Sequence, residues 1–269
     1  MVPMTSVPES ALRFGFDNGP GGPHASRTMM LSELRSLLAA CPPPALYEQY
    51  GAAILEQNVL LKRTEATRRE SLRRLRELYG LNRALMVFRA LRDLWDEAPT
   101  EQPLLALLAA LARDPLLRAT AKPILAALPG DSVTAATLSE AVGRELPDRL
   151  NPTTRASISR HAASTWTQAG HLQGRTAKMR ATALCGPAAA AYALFLGYLC
   201  GARGAALFEA FWVSITDAPP SRLHELAFAA SRLGWLEYRH AGDVTDVGFS
   251  YLLREEAAGE SDRTSAAAV

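Results

Sequence analysis

Residues 181–202 read ATALCGPAAAAYALFLGYLCGA, 22 uncharged residues between Arg180 and Arg203. That length is enough to cross a bilayer. The composition points elsewhere: eight of the residues are Ala and three are Gly, and strong apolarity rests on four Leu and one Phe. Pro187 is tolerated at the first turn of a helix and nowhere deeper in one. The stretch therefore predicts a buried core helix beginning near Pro187, in a globular protein with no membrane partner.

The rest of the chain is consistent with such a core. Of 269 residues, 48% are hydrophobic and 21% charged, an ordinary globular balance. Ala, Leu and Arg dominate, and all three favour helix, so the expected fold class is mainly α. Periodicity and stop residues outline helices over 29–40, 45–61, 65–79, 81–95, 103–113, 115–128 and 132–146. Asn151-Pro152 marks a boundary, after which Thr153 and Thr154 start a helix to about Ala169, followed by Gly170. After the core helix come one near 203–216 and one from Ser221 to Leu233, closed by Gly234. Trp235 to Arg239 and Val244 to Phe249 read as two strands around Ala241-Gly242-Asp243, a short C-terminal β-hairpin.

Two segments resemble one another. Trp166-Thr-Gln-Ala-Gly170-His-Leu172 and Ala230-Ser-Arg-Leu-Gly234-Trp-Leu236 each run from helix through Gly into an extended piece. The second continues into strand, turn and strand, the way a winged helix-turn-helix ends. A plain helix, cap and hairpin in a structural domain is the alternative. The expected organisation is two helical domains with helix-turn-helix and winged-helix-like parts. A Gly/Pro-rich arm, mobile or loosely docked, occupies 1–28. A helical domain with a basic helix-turn-helix-like region covers 29–148. A second domain with the winged-helix-like end covers 149–254, and a frayed tail covers 255–269.

Net charge is only +2, yet the charge is segregated. Residues 62–92 hold ten basic side chains, including Lys62, Arg63, Arg68, Arg69, Arg73 and Arg76, against three glutamates. Residues 149–180 hold Arg149, Arg155, Arg160, Arg175, Lys178 and Arg180 with no acid at all. Segregation on this scale points to an anionic partner, and Arg faces of this kind hold phosphates. Arg69, Arg73 and Arg76 share one helix face, while Thr64 or Thr67 caps that helix. Ser157, Thr165, Thr167 and Gln168 add neutral hydrogen-bonding groups to the second patch. A partner protein with acidic surfaces is the competing reading.

No catalytic constellation is visible. Gly19-Pro-Gly-Gly22 lacks the Lys-Ser/Thr of a phosphate loop, and the five histidines stand apart from Cys and carboxylates. Ser157 and His161 are one helical turn apart with no carboxylate to orient them, so they read as a surface polar pair. Cys41, Cys185 and Cys200 match neither a disulfide framework nor a zinc pattern. No enzyme, metal or cofactor is expected. The first 30 residues show no secretory signal, so the expected compartment is the cytoplasm.

One segment resembles a known family. Leu55 to Arg69, LEQNVLLKRTEATRR, is similar to the "ENVL-x-KRS-x-ATA-x-R" segment of the BrxA family, accessory proteins of bacterial BREX phage-defence systems. Looser matches are Leu94-Trp95, Asn151-Pro152-Thr153-Thr154 leading to Ala169-Gly170-His171-Leu172, and Gly186-Pro187 opening an apolar helix. The resemblance spans about 45–215; the Gly/Pro-rich start and the end from about 221 depart from it. It implies a non-enzymatic helical protein that binds double-stranded DNA alongside other BREX subunits. It carries over onto Asn58, Lys62, Arg63, Thr64, Thr67, Arg68 and Arg69. Asn58 either joins that surface or hydrogen-bonds the turn.

Overall fold

The computed structural model describes residues 6–147, 150–242 and 244–254. Residues 1–5, the proposed boundary at 148/149, Asp243 of the turn and the tail 255–269 lie outside the described residues. In chain order come α1 (Glu9–Leu12), a 3-10 turn at Pro23–Ala25, α2 (Leu31–Ala40), α3 (Tyr47–Leu55), α4 (Glu65–Tyr79), α5 (Met86–Trp95) and α6 (Gln102–Arg113). Then follow α7 (Pro115–Arg118), α8 (Ala121–Ala126), α9 (Ala135–Glu145), α10 (Pro152–Gln168), β1 (Leu172–Gln173) and β2 (Met179–Arg180). The last stretch holds α11 (Pro187–Leu199), a 3-10 turn at Gly204–Leu207, α12 (Phe211–Ser214), α13 (Pro220–Arg232), β3 (Glu237–Ala241), β4 (Val244–Gly248) and α14 (Ser250–Leu253). The fold is mainly α, with two short antiparallel hairpins.

The uncharged stretch forms the central helix. Every residue of α11 from Ala188 to Gly197 is buried, and α5, α6, α12 and α13 pack around it. Among the described residues no helix is long and apolar enough to cross a membrane. The first turn of α11 is held from outside by buried Glu101, whose carboxylate accepts the N–H groups of Gly186 (3.0 Å) and Ala189 (2.8 Å). A carboxylate there satisfies orphan donors and meets the positive end of the helix dipole. Gly186 makes the approach possible, since a Cβ on it would sit 2.4 Å from that carboxylate.

Several helices are shorter than their apolar periodicity suggests, each for a local reason. The expected 45–61 helix stops at Leu55, and Asn58 beyond it takes a left-handed φ of 51°. The expected 81–95 helix starts at Met86, because Leu81 is left-handed (φ 50°) and the Asn82 side chain turns back onto the Ala84 N–H at 2.9 Å. The expected 115–128 helix splits around Thr120, whose hydroxyl donates to Leu117 O (2.7 Å) and accepts from Trp166 Nε1 (2.8 Å). The 203–216 helix becomes a 3-10 turn and α12.

The described part of the expected loose arm is a packed strap. Val7 and Phe16 are buried, and Val7 exchanges two hydrogen bonds with the Asn18 side chain. Buried His24 places Nδ1 2.7 Å from Asp114 and Nε2 2.8 Å from Thr165 Oγ1, which also accepts the Met29 N–H. Asp114 in turn caps α7 at Leu116 and Leu117. The Thr-His-Asp order has the connectivity of a nucleophilic triad, but all three residues are 0% exposed. It pins the strap to α7 and α10. His161 and Ser157 add to the pin by bonding His24 O and Ala25 O, so they are not a surface pair. Burial pushes the His161 imidazole below its ordinary range. One hydrophobic cluster runs from Val7 to Leu252 and takes residues from both sides of position 148.

Candidate nucleic-acid interface

Both halves of the internal similarity close in the same way. At the end of α10, His171 N–H bonds Trp166 O (2.9 Å) and Gly170 N–H bonds Thr167 O (3.1 Å). At the end of α13, Trp235 N–H bonds Ala230 O (3.1 Å) and Gly234 N–H bonds Ser231 O (3.0 Å). Both are Schellman motifs, and both need the left-handed glycine, Gly170 at φ 89° and Gly234 at φ 78°. Each then leads into a hairpin, β1–β2 or β3–β4.

The first copy thus has a winged-helix-like arrangement. Ser132 bridges to Met179 beside β1–β2, α9 packs on α10, and residues 174–178 form the wing. Asn151 caps α10 by accepting the Thr154 N–H at 2.8 Å, with Pro152 in the first turn. The second copy uses α11, α12 and α13 with the longer β3–β4 wing. Its hairpin was legible in the sequence; the first hairpin, with strands of two residues, was not.

Between α10 and the first wing lies a groove of about 550 Å³ lined by Ser132, Thr134, Arg160, Ser164, Arg175 and Lys178, among others. Arg160 and Arg175 are exposed, and Lys178 Nζ donates to Gly174 O at 2.7 Å. Among the described residues none of these three cations forms an ion pair, and residues 150–180 supply no acid. Arg155 lies across α9 instead, with its guanidinium where a Cβ on Gly143 would stand.

Arg180 does not belong to this face. It is buried, donates Nε–H to Ile124 O (2.8 Å) and pairs with Asp217 through both terminal nitrogens. Arg180, the second residue after the wing, turns inward while Met179 before it stays half-buried, because the strand alternates faces. Thr165 is likewise buried against His24, and Thr167 donates to Ala163 O within α10.

The α4 region is less positive than its residue list suggests. Arg69 pairs with Glu65, while Arg73 and Arg74 share Glu70 and Glu77. Lys62 pairs with Glu33 at 2.9 Å. Arg83 meets Asp93, Arg92 meets Asp96, and Arg89 is buried and donates to Leu252 O. Arg76 lies 4.9 Å over the Tyr47 ring. Arg63 is exposed and Arg68 half-buried. Thr64 caps α4 by accepting the Thr67 N–H at 3.2 Å. Asn58 serves the turn: its Oδ1 accepts the Lys62 N–H at 2.8 Å.

No family model matches the chain, and no curated protein does.

Proposed function

We propose that the chain binds double-stranded DNA through its first winged helix and carries out no chemistry of its own. The observation that carries this reading is the groove between α10 and the wing, whose lining holds no acid and where, among the described residues, Arg160, Arg175 and Lys178 form no ion pair. A helix and a wing displayed side by side match a groove and its flanking phosphates. Ser164 and Thr134 offer hydroxyls for phosphate oxygens. The likeness of residues 55–69 to BrxA supports placing this DNA binding in a BREX-type defence system, in the cytoplasm, alongside other BREX subunits.

Fluorescence anisotropy with a short random-sequence duplex across a salt series tests the reading. Each phosphate contact contributes a slope of about −0.9 in log affinity against log salt. The double variant R160E/R175E is expected to bind at least about tenfold more weakly, with a visibly shallower slope. Equal affinity and slope in wild type and variant overturn the proposal.

A second reading, a protein-interaction adaptor, is favoured by the other winged helix. There Phe228, Leu233 and Val244 are exposed, and Arg222 is paired with Glu225. That reading expects DNA binding to vanish at physiological salt while a defence partner stays bound.

A further inference from the structure

Two adjacent leucines after α3 face opposite ways. Leu60 is 8% exposed and plugs the core, while Leu61 is 85% exposed. Leu61 also sits at φ 53°, a left-handed conformation that opposes a Cβ. An exposed large apolar side chain on strained backbone is unfavourable twice over, and such residues gather at working surfaces.

The tip is held rather than loose. Leu61 N–H bonds Asn58 O at 2.9 Å, and Lys62 N–H bonds Asn58 Oδ1 at 2.8 Å. Lys62 Nζ ties the loop to Glu33 on α2, and Thr64 anchors its far end as the cap of α4. The strain therefore points one leucine outward from a rigid frame.

We infer that Leu61 is a wedge that enters the base stack of a bound DNA duplex. This rests on the duplex-binding reading above. The setting favours nucleic acid over a protein pocket. Leu61 is a single apolar point, since Val59 and Leu60 turn inward and Gln57, Asn58, Lys62 and Arg63 flank it. A protein interface needs apolar area around such a point. A base step needs only the point, with cations beside it to hold the phosphates. Arg63, two residues on, is exposed, makes no ion pair among the described residues and supplies such a cation. Inserted apolar side chains unstack a step and bend the duplex.

The test uses the full chain and duplexes with 2-aminopurine at successive central steps, plus end-labelled duplexes whose energy transfer reports bending. Wild-type protein is expected to raise 2-aminopurine fluorescence and shorten the end-to-end distance. L61A is expected to abolish both and weaken binding by about tenfold, with an unchanged melting temperature. L61M, which keeps an apolar wedge, is expected to retain both signals. Identical signals from wild type and L61A overturn the inference. So does wild-type binding that depends on Arg160 and Arg175 without any unstacking or bending; that result leaves the duplex reading intact. No duplex binding at all removes both.

Discussion

Arg180 and Asp217 join the two helix-and-hairpin segments by a paired, buried contact, Nη2 to Oδ1 at 2.5 Å and Nη1 to Oδ2 at 2.9 Å. Asp217 Oδ2 also accepts the Ala183 N–H at 3.0 Å, so each partner is bonded beyond the pair. Removing one partner leaves the other charged and buried. Arg180→Gln is expected to destabilise the protein by about 3–5 kcal/mol in urea melts. The affinity of the folded fraction for DNA is expected to stay unchanged, because Arg180 does not face the groove. A protein that keeps its stability and loses DNA binding would contradict this assignment.

The two basic regions are expected to differ in their response to charge reversal. Arg69 and Arg73 already meet Glu65, Glu70 and Glu77 on their own helix. R69E/R73E is therefore expected to weaken duplex binding less than R160E/R175E does. Parallel titrations at one salt concentration decide the order, and the reverse order would move the main contact to α4.

Glu101 holds the start of the central helix. Glu101→Ala leaves the half-buried N–H of Gly186 and the buried N–H of Ala189 without their acceptor. The expected loss is about 2 kcal/mol or more in chemical denaturation. Glu101→Gln keeps an acceptor and is expected to lose less.

Acid is expected to weaken the fold. His171 is fully buried, its Nε2–H donates to Ile215 O at 2.8 Å, and burial holds its pKa below the ordinary value. The folded protein therefore takes up a proton at this imidazole at lower pH than the unfolded chain, which does so at the ordinary histidine pKa of about 6.5. The unfolded state thus gains protons first, and stability falls as pH drops through that range. Burial shifts His161 and His224 the same way. The urea midpoint is expected to be lower at pH 5.5 than at pH 7.5, with a smaller difference in His171→Gln. An equal difference in that variant would remove His171 from the account.

What could be read from the sequence follows from how far apart the interacting residues lie. The central helix was legible because Pro187 and an unbroken run of small and apolar residues act locally. The hairpin at 237–248 was legible because five-residue strands flank a turn. The first wing was hidden because its strands hold two residues each and take their third partner from Ser132. The pairing of Arg73 with glutamates one turn away could have been counted from spacing alone. The inward turn of Arg180 could not, since Asp217 lies far along the chain. The strap was misread because its Gly and Pro content marks turns, whereas its anchors, His24, Asp114 and Thr165, meet only in the fold.

The docking of α14 on α5 sets an order of events during synthesis. Arg89 on α5 donates to Leu252 O, and Asp93 on the same helix pairs with Arg254 at 2.9 Å. Phe249 packs on Phe195 and Tyr198 of α11, the helix that α5 also touches. A growing chain therefore exposes one flank of α5 for as long as the ribosome takes to translate the residues between Asp93 and Arg254. Contacts this distant in sequence close late and slow the final step of folding. Until then the nascent protein offers an unsealed seam, the place where a chaperone has most to hold.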